Sequence, residues 1–184
     1  NITKQGGDEG DEAAVLNNIG ELYYQQERYN EALKYFRLAS TLVEKSGNSA
    51  QQAMLFNNFG LIDAAHKQYD RAIENYQASL RIKRRNGDRR GESITLDNLG
   101  GLYTTQYEYD KALNAYHQAL DIAQEIGDRL SESITQNNIG EVYHAQRNYD
   151  EALQYYHSAL EIRQEFEEPS GEIIPRGNIA RLYY

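Results

Sequence analysis

The chain repeats itself every forty residues, and this period constrains the fold more than any other feature of the sequence. A glycine returns at the same place in four successive segments, followed by a tyrosine, an alanine and a second aromatic residue. The matched positions are Gly20, Gly60, Gly100 and Gly140; Tyr29, Tyr69, Tyr109 and Tyr149; Ala32, Ala72, Ala112 and Ala152; and Phe36, Tyr76, Tyr116 and Tyr156. Self-similarity at such a period is typical of arrays in which each unit packs against its neighbours.

Within each segment the apolar residues follow helical spacing. In ALNAYHQALDI, residues 112–122, they fall on one broad face of a helix. Each segment therefore predicts two helices, A and B, at about 12–26 and 30–46 in the first segment. Glycine closes helices well because it readily adopts the left-handed conformation. We therefore expect the turn after helix B at the pairs Gly47-Asn48, Gly87-Asp88 and Gly127-Asp128.

Two further repeated positions give sharper expectations. A short polar residue follows the repeated tyrosine, and we expect its side chain to cap the start of helix B; these residues are Asn30, Asp70, Asp110 and Asp150. The repeated glycine lies in the middle of helix A, where it costs about 1 kcal/mol relative to alanine. Its regular return predicts a close approach of helices A and B, with the small Ala32-type position as the facing surface.

These residues resemble the tetratricopeptide repeat. The segment NIGELYYQQERYNEALKYFRLA, residues 18–39, matches that family's pattern of small, tyrosine, alanine, aromatic and alanine positions. The family period is 34 residues, so the two helices here would each be longer by just under one turn. This longer form is similar to repeats of Pins/LGN-type adaptors, kinesin light chains and bacterial signalling arrays. The resemblance implies an all-α, right-handed solenoid of antiparallel helical hairpins that acts as a non-catalytic protein-interaction scaffold.

The period also predicts the organisation along the chain. We expect the tail of a preceding repeat or an acidic linker at 1–11, complete repeats at 12–48, 49–88, 89–128 and 129–168, and the A helix of a fifth, truncated repeat at 169–184. On this frame residues 1–5 end a preceding helix B, and Gly7-Asp8 is equivalent to the later turn pairs. The chain is then a piece of a longer array.

Composition excludes several classes of function. The net charge of −9 argues against nucleic acid or an anionic membrane as the main partner. Without cysteine there is no disulfide and no thiolate chemistry. No apolar run approaches the roughly 20 residues of a membrane span, and the common hydrolase and phosphate-binding motifs are missing. We expect a cytoplasmic protein without enzymatic activity, cofactor or metal ion.

The candidate binding site lies on helix A, where offsets of four, seven and eleven residues share a face. In tetratricopeptide arrays the A helices line a concave groove, and peptide-binding members hold a ligand backbone with a ladder of asparagines. The resemblance assigns this ladder to Asn18, Asn58, Asn98, Asn138 and Asn178, flanked by Asn17, Asn57, Asp97 and Asn137. The specificity positions beside it are Glu21, Leu61, Gly101 and Glu141, and Met54, Ile94 and Ile134 form an apolar floor. Alternatively, these amides bond neighbouring helices as part of the fold.

The charge of this face favours one kind of ligand. Glu21, Asp97 and Glu141 share it, whereas lysine and arginine are missing until Arg181. The carboxylate clamp of chaperone-binding relatives needs basic residues there and is not carried over. We expect a protein or peptide ligand with basic and apolar residues. Two other roles stay open: a regulatory arm of a larger signalling or transcription-control protein, and self-association through the ends of the solenoid.

Two irregularities stand outside the pattern. The segment RIKRRNGDRRGES, residues 81–93, carries the one basic cluster, which is either a docking site for an acidic partner or a solvated loop. Asp63 occupies the position held by Tyr23, Tyr103 and Tyr143. It marks either a ligand contact or a locally soft second repeat.

Overall fold

The computed structural model describes residues 2–166 and 169–182, with side chains from residue 9 to 166 and from 171 to 182. The described residues form α-helices joined by short turns and contain no strand, which confirms the all-α fold class. The helices are α1 (Ile2–Gln25), α2 (Tyr29–Ser46), α3 (Ser49–Ala65), α4 (Tyr69–Asn86), α5 (Arg89–Thr105), α6 (Tyr109–Ile126), α7 (Arg129–Ala145), α8 (Tyr149–Gln164) and α9 (Pro169–Leu182).

The helices pack as successive hairpins, each made of one A helix and the B helix that follows it. The chain divides into two compact units, with the boundary between Asp88 and Arg89. In the first unit α1 packs against α2 and α3 against α4, and α3 also contacts both α1 and α2. In the second unit α5 packs against α6 and α7 against α8, with α6 against α7, α5 against α7 and α9 against α8. The predicted pairing of helices is therefore present in both units.

The turn from helix A to helix B differs from the prediction. Each B helix begins at the repeated tyrosine, and the residue before it makes no side-chain capping bond. The capping role predicted for Asn30, Asp70, Asp110 and Asp150 is therefore wrong, because these residues lie one position inside the helix. There Asp70 and Asp110 stand in the first turn, where a negative charge interacts favourably with the helix dipole.

A left-handed residue closes helix A in every repeat. The backbone N–H of Glu27 donates to the carbonyl of Tyr24 at 2.9 Å, and that of Arg28 donates to Tyr23 at 2.9 Å. This double closure is the Schellman arrangement, and it gives Glu27, Lys67, Tyr107 and Arg147 positive φ angles of 58°, 60°, 61° and 64°. Because none of the four is glycine, the sequence carried no signal for this turn.

The turn from helix B to helix A confirms the prediction. Gly47, Gly87 and Gly127 are left-handed, with φ angles of 68°, 70° and 68°. The residue after the glycine caps the next A helix. Asn48 accepts hydrogen bonds from the backbone N–H groups of Ala50 and Gln51 at 3.1 and 3.2 Å, and Asp128 accepts one from Ser131 at 3.1 Å.

The mid-helix glycines mark a close approach of helices A and B, as predicted. A Cβ atom at Gly20 would lie 2.5 Å from the ring of Phe36, and at Gly60, Gly100 and Gly140 it would lie 2.6 Å from the rings of the equivalent tyrosines. The nearest facing group is thus the buried aromatic ring of helix B. The predicted Ala32-type position also faces the glycine in the fourth repeat, where the carbonyl oxygen of Ala152 would lie 3.2 Å from a Cβ atom at Gly140. Ala32 is buried as well, but the ring is the larger group and occupies the space over the glycine.

Helix α1 is longer than expected at its beginning. It runs from Ile2 to Gln25 without a break, so Gly7 and Asp8 lie inside a helix and do not form the predicted turn. Once a helix is nucleated, each further residue adds one backbone hydrogen bond. Helix α1 therefore extends through the segment for which an acidic linker was one of the two predictions. Across the described ranges no helix is long and apolar enough to cross a membrane, and no three histidine or carboxylate side chains are grouped around a possible metal ion.

Candidate peptide-binding surface

In the first unit the asparagines connect α1 to α3. The Nδ2 atom of Asn58 donates hydrogen bonds to Oδ1 of Asn17 at 2.8 Å and to Oε1 of Glu21 at 3.1 Å. Asn17 in turn donates to the same Glu21 oxygen at 2.7 Å. Both asparagines are buried. These three residues, all predicted to contact a ligand, therefore bond to one another.

The second unit repeats the arrangement. Asn138 donates from Nδ2 to Oδ2 of Asp97 at 2.9 Å, and Thr135 donates from its hydroxyl to Oδ1 of the same carboxylate at 3.0 Å. Asn178 donates to Oδ1 of Asn137 at 2.9 Å. In each case an asparagine of the Asn18 type bonds the residue of the Asn17 type in the preceding repeat. Bonding of these amides between neighbouring helices was the alternative that sequence analysis left open, but the partner of each amide was not identified there.

The acidic side chains of this face are largely engaged within the fold. Glu21 accepts from two asparagines, as described, and Glu141 accepts a long hydrogen bond of 3.4 Å from Arg181. Burial raises the pKa of Asp97 above its ordinary value, although the hydrogen bonds from Thr135 and Asn138 act in the opposite direction. The face is acidic in sequence, but its charges have partners from neighbouring helices.

We expect Asp97→Asn to stabilise the protein at pH 7 by up to about 1 kcal/mol, because relief of carboxylate burial outweighs the weakening of two charge-assisted hydrogen bonds. A raised pKa in the folded state means that ionised Asp97 lowers stability above that pKa. The gain should therefore shrink as the pH falls through the raised pKa towards the ordinary value of 3.8. Denaturant unfolding between pH 8 and pH 4 measures it, and Asn137→Asp is the reverse control. Lower stability of Asp97→Asn at pH 7 would contradict the prediction.

Two equivalent crevices open between successive A helices. In the second unit the crevice between α5 and α7 has a volume of about 120 Å³, and its walls are Ser93, Ile94, Asp97, Asn98, Ser131, Ile134 and Thr135. In the first unit the crevice between α1 and α3 has a volume of about 70 Å³, and its walls are Ala13, Ala14, Asn17, Asn18, Val43, Gln51, Met54 and Leu55. The two sets occupy nearly the same repeat positions, so the crevice is a property of the repeat.

Exposed apolar side chains border these crevices. Met54, Ile94 and Ile134 have exposed fractions of 46%, 44% and 41%, although large apolar residues are usually buried. Ile174 occupies the equivalent position on α9 and is also exposed; sequence analysis missed it, although the forty-residue period pointed to it. The hydroxyl side chains of Ser93, Ser131 and Thr135 were missed too, because serine and threonine carry no helical signal of their own.

The remaining predicted residues lie on or under the same surface. Asn18 is exposed, whereas Asn57 and Asn178 are buried. Leu61, Asn98, Asn137 and Glu141 have intermediate exposure. The structure thus brings the predicted residues together within each unit, with the apolar positions outermost and most of the amides beneath them.

The basic cluster does not form one open patch. Arg89 donates to Glu92 at 2.8 Å and also to Glu125, and Arg90 pairs with Asp128 at 3.0 Å. Lys83 is buried, and burial lowers the pKa of its ammonium group. Four of its arginines are exposed, namely Arg81, Arg84, Arg85 and Arg90.

Within each unit, the hairpins and the asparagine bonds between repeats define a stack of paired helices. The model of the tetratricopeptide repeat matches residues 11–85, 51–125 and 131–184, and the chain belongs to this family. Members of the family are protein-interaction scaffolds. No curated protein matches the chain.

Several solved structures share this fold. BtubC (BKLC) from P. vanneervenii is 16% identical with a TM-score of 0.69, over 99% of this chain and 83% of that one. Aspartyl phosphate phosphatase F from Bacillus subtilis is 18% identical with a TM-score of 0.84, over 94% and 44%. A Rap protein complexed with Competence and Sporulation Factor is 18% identical with a TM-score of 0.81, over 94% and 48%. The chain thus spans less than half of the last two proteins, and these similarities concern the fold alone.

Proposed function

We propose that this chain is a non-catalytic scaffold that binds an extended peptide segment of a partner protein along its A helices. The observation that carries the proposal is the recurrence of one crevice, bordered by exposed apolar side chains, at equivalent positions in both units. Exposed apolar side chains beside a cleft are characteristic of interaction sites. A Rap protein of similar fold has a solved structure in complex with Competence and Sporulation Factor, which is consistent with this role.

The crevices favour different ligand side chains. The wall in the first unit is mainly apolar, with Val43, Met54 and Leu55, and suits a small aliphatic group. The wall in the second unit contains Ser93, Asp97 and Thr135, and suits a polar or basic group. A peptide residue that enters the first crevice is therefore expected to be aliphatic, and one that enters the second crevice is expected to be polar or basic.

The asparagines have a reduced role in this proposal. Asn58 and Asn138 donate their amide protons to the A helix of the preceding repeat, so each amide offers a ligand mainly its carbonyl oxygen, which accepts from a backbone N–H. Asn18 is the exception, because it is exposed on α1. Most of the affinity then comes from burial of the exposed apolar side chains beside the crevices, Met54, Ile94 and Ile134. The amides orient the peptide backbone.

The test is a peptide-display selection against the whole 184-residue chain, followed by calorimetric titration of the selected peptide. Ile134→Ala should weaken binding about three- to tenfold, because it removes apolar area that the peptide buries. Ile126→Ala is the matched control, since Ile126 on α6 is 39% exposed but lies outside both crevices. Equal losses in the two variants, or no loss in either, would place the peptide elsewhere.

A further inference from the structure

The second repeat lacks a pair of stacked tyrosines. In the first repeat the rings of Tyr23 and Tyr35 stack with centroids 5.3 Å apart, and in the fourth Tyr143 and Tyr155 stack at 5.5 Å. The equivalent positions of the second repeat are Asp63 and Asn75. Nδ2 of Asn75 donates to Oδ2 of Asp63 at 2.8 Å. Two aromatic rings are thus replaced by a shorter hydrogen-bonded pair.

A cavity of about 410 Å³ lies at this position in the first unit. This volume is within the range of about 300–1,000 Å³ that is usual for small-molecule sites. Leu33 and Phe59 provide apolar walls, and Asp63 and Asn75 provide the polar pair. The rest of the lining is polar or basic: Arg37, His66, Gln68 and Arg71. The cavity is separate from the crevice between α1 and α3, with which it shares no residue.

The carboxylate of Asp63 is weakly neutralised. Its side chain is 9% exposed, and its Oδ1 atom lies 3.5 Å from a guanidinium nitrogen of Arg71, whose side chain is 63% exposed. Arg71 also donates to Gln68 at 2.6 Å. A buried carboxylate is costly unless it is well paired, and a long ion pair with an exposed arginine contributes little. A ligand cation can therefore replace Arg71 at Oδ1 with little loss to the fold.

We propose that this cavity binds a small aromatic amine, a molecule with one aromatic ring and a protonated primary amine on a short chain. The ring takes the space that tyrosine rings fill in the first and fourth repeats, and it packs against Leu33 and Phe59. The ammonium group donates to Oδ1 of Asp63, while Asn75 holds Oδ2 in place. The apolar walls of Leu33 and Phe59 and the buried carboxylate of Asp63 favour this ligand class over an anion held by Arg37 and Arg71, because both arginines are exposed.

Tyramine titrated into the full 184-residue chain, followed by calorimetry and by NMR, tests the proposal. The matched probe is 4-ethylphenol, which has the same ring but no ammonium group and should bind at least about tenfold more weakly. Asp63→Asn should cause a similar loss. Failure of the wild-type chain to bind tyramine, or equal binding of the two probes, would overturn the proposal.

Two further variants separate binding from folding. The double variant Asp63→Tyr with Asn75→Tyr rebuilds the stacked pair of the first and fourth repeats, so the protein should fold and tyramine binding should be abolished. Arg71→Ala removes the competing cation and should leave tyramine affinity equal or higher. Tyramine binding retained by the double variant would show that the ligand lies elsewhere. Loss of binding in Arg71→Ala would show that Arg71 holds the ligand and does not compete with its ammonium group, and either result would overturn the assignment.

Discussion

Gly100→Ala should lower the melting temperature of the chain sharply, whereas Gly101→Ala, one residue further along α5, should raise it slightly. A Cβ atom at Gly100 would lie 2.6 Å from the ring of Tyr116, and one at Gly101 would lie 3.5 Å from the hydroxyl of the same tyrosine. The first distance is shorter than real contacts and the second is ordinary. Tyr116 is buried, so its ring can move only by disturbing the packing between α5 and α6.

The expected cost of Gly100→Ala is about 1–3 kcal/mol, the usual range for overpacking a core, and Gly100→Leu should cost more. Gly101→Ala should instead gain about 0.5–1 kcal/mol, because alanine is the better helix former. For a chain of this size 1 kcal/mol corresponds to a shift of about 2–4 °C, so thermal melts resolve the difference. Equal melting temperatures for the two alanine variants would show that the glycine position does not limit the approach of the helices.

The helices and their close approach were predictable because they depend on positions that recur. Gly47, Gly87 and Gly127 recur at the end of helix B, where a left-handed residue favours glycine, and the structure places all three in that conformation. Gly100 and its equivalents recur in mid-helix, where only a steric demand explains them. The forty-residue period reveals this steric demand. A mid-helix glycine lowers helix stability, so its return in four repeats indicates that close packing compensates for the loss in each of them.

The turn from helix A to helix B was not predictable in the same way. Glu27, Lys67, Tyr107 and Arg147 share the left-handed conformation but no side-chain property. Backbone hydrogen bonds such as that from Arg28 to Tyr23 impose the conformation. Because any residue type can make such bonds, they cannot be read from the sequence. The same limit explains why the predicted caps at Asp70 and Asp110 were placed one residue away from the helix ends.

The partners of side chains across helices were also hidden from the sequence. Asp63 looked like an isolated departure from the tyrosine pattern, but Asn75 changes together with it and donates to its carboxylate. The pairing of Asn58 with Asn17 follows the same logic. In both cases, comparison of the repeats at a spacing of forty residues is enough to single out each residue. Which partner it meets depends on how the helices pack.

Asn58→Ala should lower the free energy of unfolding by about 1–3 kcal/mol, because it strands a buried hydrogen-bonding group. The variant removes the donor to Asn17 and Glu21, and the Oδ1 atom of Asn17, a buried residue, then loses its partner. Asn18→Ala is the matched control, since Asn18 is the same residue at the same repeat position but exposed on α1. Its removal should change stability by less than about 0.5 kcal/mol.

The two variants also separate the roles of the asparagine ladder in ligand binding. If an exposed amide grips a peptide backbone, Asn18→Ala should weaken binding of a display-selected peptide by about 0.5–1.5 kcal/mol, the net value of one hydrogen bond, without a change in melting. Asn58→Ala should weaken binding by no more than that, because its amide protons already serve the fold. Thermal melts and calorimetric titrations give the change in stability and the change in peptide affinity for each of the two variants. A large loss of affinity in Asn58→Ala with unchanged stability would instead show that the ladder serves the ligand, and that its bonds between α1 and α3 contribute little to folding.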